Sequence, residues 1–217
     1  MSRTLKALLA CLAPAALAAT PAGAWAPSSW AAPEPDPIPR RWELDVQVGA
    51  LRLATLADRA GQVKVYAYLT YTVTNNSGTD LLFAPSFEMA TDEGQIVRSG
   101  RGVPTEVTAA LIRRLANPML IDQNSMIGPL LQGEENAREG LIAWPLDDLN
   151  VGEIHVYLAG FSGETKTIQI YDPESGGRVP LVLRKTLMMR YLIDGELNPK
   201  DSSALRPIDP RGKWILR

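Results

Sequence analysis

VKVYAYLTYTVTNNSGTDLLFA, residues 63–84, decides the fold class of this 217-residue chain. Val63, Val65, Ala67, Leu69, Tyr71 and Val73 fall on one side of an extended backbone. Lys64, Tyr66, Tyr68, Thr70, Thr72 and Thr74 fall on the other. A two-residue period is the mark of a strand with one buried face, and β-branched and aromatic residues suit its pleated surface. Asn75-Asn76-Ser77-Gly78 then supplies residues that tolerate tight, positive-φ turns before a second apolar run opens at Leu81. The segment predicts two antiparallel strands joined by a turn, the unit of an all-β sandwich.

The same rhythm continues outward. Trp42 to Val48 alternates cleanly, and the folded unit is expected to begin near Arg41 and run to Arg217 as one domain. Further strands are predicted over Leu81 to Met89, Gln95 to Ser99, Leu141 to Trp144 and Glu153 to Phe161. Thr165 to Tyr171, Val179 to Leu183, Lys185 to Ile193 and Lys213 to Arg217 complete the set. Thr91-Asp92-Glu93-Gly94 and Asp172-Pro173-Glu174-Ser175-Gly176-Gly177 are strong turn signals between them. Strands at this spacing argue for a sandwich, and the absence of a repeating period argues against a solenoid or propeller.

One segment breaks the pattern. From Thr105 to Ala116, Val107, Ala110, Leu111 and Leu115 recur at helical spacing, with Thr105 placed to cap the start and Asn117-Pro118 to end it. This helical crossover, inserted at about 104–117, is expected to lay Val107, Leu111 and Leu115 on the sandwich. Arg113 and Arg114, in its last turn, complement the helix dipole and remain in solvent.

The N-terminal residues read as an address. Arg3 and Lys6 precede the apolar run Ala7 to Ala19, and Ala22-Gly23-Ala24 offers small residues for cleavage after Ala24. The run is shorter than the roughly 20 apolar residues that a spanning helix needs. A cleaved secretory leader over 1–24 is therefore expected, with no transmembrane helix in the mature chain and a periplasmic or extracellular destination. The single cysteine, Cys11, lies inside that leader, so the mature chain has no thiol for a disulfide, a nucleophile or a metal. Trp25 to Arg40 carries five prolines, at 27, 33, 35, 37 and 39, and reads as an extended linker.

Charge narrows the partners. Without Arg3 and Lys6 the chain has 20 basic against 24 acidic residues. Both signs are scattered with no basic stripe, which argues against nucleic acid as a partner.

Tests for catalytic motifs fail one after another. His155 is the sole histidine, and with no cysteine beside it a zinc site is not expected. Gly160-Phe161-Ser162-Gly163 lacks the Gly-x-Ser-x-Gly spacing of a nucleophile elbow. Gly128 to Gly133 has the glycine spacing of a phosphate loop, but Glu134-Glu135 stands where Lys and Ser/Thr are required. No residue set points to a cofactor, a metal or a catalytic group. The residues best placed to form a binding surface are Tyr66 and Tyr68 on the polar face of their strand, Arg113 and Arg114 on the helix, and His155 and Tyr157 on a later strand.

Tyr71-Thr72-Val73-Thr74-Asn75-Asn76-Ser77-Gly78, followed by Asp80 and an apolar strand, is similar to immunoglobulin-like domains of exported bacterial proteins. Gly133-Glu134, Gly140 and Leu141-Ile142-Ala143-Trp144-Pro145 extend the resemblance, which covers roughly residues 63 to 160. It implies an immunoglobulin-like antiparallel β-sandwich with adhesive, protein-binding or accessory work in the envelope, and no family catalytic residues. The expectation is thus an exported, non-enzymatic module that binds a protein or another envelope component. The alternative is a secreted hydrolase whose carboxylates converge near the helical crossover.

Overall fold

The computed structural model describes residues 33–217 other than 194, 196 and 200–204. The leader, its cleavage point at Ala24 and the first part of the proline-rich stretch lie outside the described residues. In chain order the strands are β1 (Asp45–Val48), β2 (Arg52–Ala57), β3 (Val63–Thr74), β4 (Leu81–Phe83), β5 (Ser86–Thr91) and β6 (Ile96–Arg98). The helix α1 (Thr105–Leu115) follows, then β7 (Leu120–Asp122), β8 (Gly128–Leu130), β9 (Arg138–Leu146) and β10 (Glu153–Ala159). The chain ends with β11 (Thr165–Asp172), β12 (Gly177–Leu192) and β13 (Lys213–Leu216).

Among the described residues the fold is all-β with this one α-helix, and its two main sheets pack face to face. In the first sheet β3 is central. β1 and β2 run in succession along one side of it, β9 lies on the other, and β7 joins β9 in parallel. In the second sheet the order is β11, β12, β10, β5, β6, with β13 also on β12. Alternation sends Leu69, Tyr71 and Val73 of β3 and Ile142 and Trp144 of β9 toward Phe87, Met89, Val156, Leu158, Leu187 and Met189 of the second sheet. Burial of that shared core is the main favourable term in the fold.

The helix adds a third layer. Val107 and Leu111 are buried against Ala54, Tyr66, Tyr68, Leu141 and Ala143 on the outer face of the first sheet, with Leu115 packed at the margin. Arg113 and Arg114 are exposed. Pro104, not Thr105, occupies the cap position and makes no side-chain cap bond, while Ala116 ends the helix in a left-handed conformation at φ 49°. Proline's fixed φ sets the helix direction, so a threonine cap is not needed to start it.

The turn at 75–80 departs from expectation. Gly78 does adopt a positive φ of 93°, but the turn closes no hairpin: β3 has β1, β2 and β9 as neighbours, and β4 pairs with β8 in a separate small sheet. The cause is Asn75. Its buried side-chain amide donates to the carbonyls of Thr79 and Leu130 at 2.9 Å each, and its Oδ1 accepts from Ser77 N–H at 3.1 Å. The side chain thus ties the turn to β8, and both sides of β3 are already occupied.

Two further differences concern strand lengths. The run predicted over Leu81 to Met89 breaks at Ala84-Pro85 into β4 and β5, whereas the two runs predicted from Val179 to Ile193 are one 16-residue strand. In the proline-rich stretch, Asp36 N–H donates to Glu164 Oε1 at 2.8 Å, so residues just before Arg41 contact the domain.

Candidate functional site

With the helix covering the first sheet, the outer face of the second sheet is the broad sheet surface left to solvent, and its polar groups are linked. Alternation along β10 puts Ile154, Val156 and Leu158 in the core and Glu153, His155 and Tyr157 outside. Register sets Tyr157 beside Glu88 of β5, Glu88 beside Arg98 of β6, and His155 beside Arg190 of β12. Arg217 follows β13 and is exposed on the same face, paired in backbone register with Arg184.

The chain of contacts begins at Glu153. Arg190 grips Glu153 Oε1 with Nε and Nη2, both at 2.6 Å, and His155 Nε2 approaches the same oxygen at 2.6 Å. The two charge-assisted bonds, from Arg190 first and His155 second, hold the Glu153 carboxyl down at about 2. An ionised carboxylate only accepts, so Nε2 carries the hydrogen, and Nδ1 lies 3.1 Å from the Tyr157 hydroxyl. The next link is Arg217, whose guanidinium lies 4.0 Å from the centre of the Tyr157 ring and donates to Glu88 Oε2 at 2.6 Å. Arg98 closes the series with Nε 3.1 Å from Glu88 Oε1. Burial alone would raise the Glu88 carboxyl, but the hydrogen bonds and charges of Arg98 and Arg217 outweigh it and hold the group below its ordinary value.

At one end of this network Ser86, Glu88, Arg98, Tyr157, Ala159, Arg184, Thr186 and Arg217 line a cavity of about 260 Å³. Two guanidiniums, of Arg98 and Arg217, hold its single carboxylate, and Arg184 is a third arginine in the lining. Arg184 makes no ion pair among the described residues. The arrangement can accept an anion, and guanidinium forks above an aromatic floor favour a carboxylate or phosphate held in two-point fashion.

Of the residues singled out from sequence, the structure brings His155 and Tyr157 together in this network. Arg113 and Arg114 are exposed on the helix, on the other side of the first sheet. Tyr66 and Tyr68 are not surface groups: they are 1% and 4% exposed and packed under the helix. Their strand alternates between two different covers, the second sheet and α1, so its polar-looking face is a second buried one. Two carboxylates near the crossover, Asp122 and Asp58, hold turns. Asp122 accepts from Asn124 N–H, Ser125 N–H and the Ser125 hydroxyl, and Asp58 from Ala60 and Gln62 N–H. Among the described residues no three His, Cys, Asp or Glu side chains gather as a metal site would require, and no helix is long and apolar enough to cross a membrane.

Glu88, Arg98, Arg184, Arg190 and Arg217 escaped the sequence reading. Their one signal is alternation: Glu88 lies between Phe87 and Met89, and Arg190 between Met189 and Tyr191, each flanked by core residues. No protein-family model, curated protein or solved structure matches this chain.

Proposed function

We propose that this chain is an exported, non-enzymatic binding module of the envelope, and that the outer face of its second sheet receives an acidic segment of a partner protein. The pairing of Arg98 and Arg217 on the Glu88 carboxylate, with Arg217 over the Tyr157 ring and Arg184 lining the same cavity without an ion pair of its own among the described residues, carries this reading. Arginine and tyrosine are the side chains that most often dominate protein interfaces, because each couples a rigid apolar plane to a polar tip. Here Arg217 and Arg98 are held in place by Glu88, so little side-chain freedom remains to be lost on binding. Arg184 supplies the guanidinium that a partner's carboxylate would meet. The resemblance to immunoglobulin-like domains of exported proteins supports the same role, and the secretory leader supports the location.

The test is a pull-down from bacterial envelope extract with the mature chain and with its Arg184→Ala variant. We expect a protein captured by the wild type to be lost from the variant, and to be released as salt is raised, since the contact is charged and near the surface. Equal capture by both proteins, at equal melting temperature, would place the contact elsewhere.

A further inference from the structure

The ribbon formed by β11 and β12 leaves one strand edge open and closes the other. β11 pairs with β12 from Thr165↔Arg184 to Asp172↔Gly177, and among the described residues no other strand flanks it. Lys185 N–H donates to Glu164 O at 3.0 Å, which makes Glu164 and Lys185 a hydrogen-bonded pair. Antiparallel pairs alternate, so Lys166, Ile168 and Ile170 also bond to β12, and Thr167, Gln169 and Tyr171 turn their N–H and C=O groups outward. Gln169 lies opposite Pro180 in the same register. On the β12 side the outward group at mid-ribbon is therefore a proline nitrogen with no hydrogen, a common way of blocking an edge. Among the described residues nothing comparable protects β11.

The side chains of β11 are self-complementary. Ile168 and Ile170 share a face with their cross-strand partners Leu181 and Val179, and Leu181 is 41% exposed. Lys166 and Asp172 flank the two isoleucines on that same face. We infer that two copies of this chain pair antiparallel through β11, about a two-fold axis at Gln169. In this register Gln169 faces its own copy, and Thr167 faces Tyr171. Ile168 faces Ile170, and Lys166 faces Asp172 at both ends. A shift of two residues either way sets Lys166 or Asp172 against an isoleucine, so the charges select one register. The product is a four-stranded sheet, β12-β11-β11-β12, with one continuous apolar face. Its interface is isologous, as a closed dimer requires. This surface lies on a different element from the arginine cavity and does not depend on it.

Analytical ultracentrifugation of the purified chain tests the inference. We expect a dimer that Gln169→Pro converts to monomer, because the variant loses the outward N–H on the axis but no bond to β12. Lys166→Glu should weaken the dimer about tenfold by placing two like charges at each end. With Cys11→Ser as background, Gln169→Cys should form a disulfide-linked dimer under mild oxidation, since hydrogen-bonded pairs bring Cα atoms to about 5.5 Å. Thr167→Cys should cross-link to Tyr171→Cys and not to itself. The inference is overturned by a chain that stays monomeric at sub-millimolar concentration, including one that binds only an unrelated strand. A dimer that survives Gln169→Pro with the wild-type melting temperature overturns it as well. Self-linkage of Thr167→Cys in place of Gln169→Cys overturns the register.

Discussion

Gly140 lies flat against the Tyr71 ring, its cross-strand partner, so that a Cβ at position 140 would stand 2.5 Å from two ring carbons and 2.7 Å from Met126 Cε. The closeness is what lets Tyr71 turn inward and reach Phe87 and Phe161, at ring separations of 5.0 and 5.8 Å. Gly140→Ala must push that cluster aside. We expect a loss of about 1–3 kcal/mol, as overpacked cores show, read as a lower thermal midpoint. An unchanged midpoint would mean that the aromatic cluster yields freely.

Lys185 is 3% exposed, with Nζ 2.7 Å from Glu43 Oε2 and 3.1 Å from Glu164 Oε2. Removing the cation strands two carboxylates in a poorly solvated place. Lys185→Met, which keeps the apolar stem, should cost about 3 kcal/mol at neutral pH by chemical denaturation. The deficit should shrink as acid protonates the two glutamates. A variant as stable as wild type would show that the carboxylates escape to water.

On the helix, Leu111 is fully buried while Arg113 and Arg114 are exposed. Leu111→Ala should destabilise the fold by about 2–5 kcal/mol, as a truncated core leucine does. Alanine at 113 and 114 should change stability by less than about 0.5 kcal/mol per site. The reverse ranking in thermal melts would mean that the other helix face is the packed one.

Strict alternation made β10 and β11 legible in the sequence, because each has a clear difference in burial or polarity between its two sides. The helix was legible for a related reason: Val107, Leu111 and Leu115 form one stripe. β3 was half legible. Its inward residues were correctly placed, but Tyr66 and Tyr68 looked solvated because a strand covered by an amphipathic helix alternates like one facing water. Asn75 to Gly78 predicted a turn and its positive φ, yet the same residues serve a hairpin or a passage between sheets. The partner that decides, the Leu130 carbonyl, is 55 residues away from Asn75. The arginine cavity was hidden because Glu88, Arg98, Arg184 and Arg217 come from four separate places in the chain, and only strand order assembles them.

Glu153 gives the sheet face its own pH response. Its carboxyl is held at about 2, against an ordinary value of 4.5, by the hydrogen bonds from Arg190 and His155. A depressed folded-state value means that the unfolded chain takes up the proton first. The stabilising contribution is therefore complete above about pH 5 and is lost as pH falls through the folded value near 2. Glu153→Gln cannot ionise and forgoes that contribution at every pH. We expect the variant to melt below wild type at neutral pH, and the gap between the two midpoints to close between pH 5 and pH 2. A gap that stays constant down to pH 2 would show that Arg190 and His155 do not stabilise the charged form of Glu153.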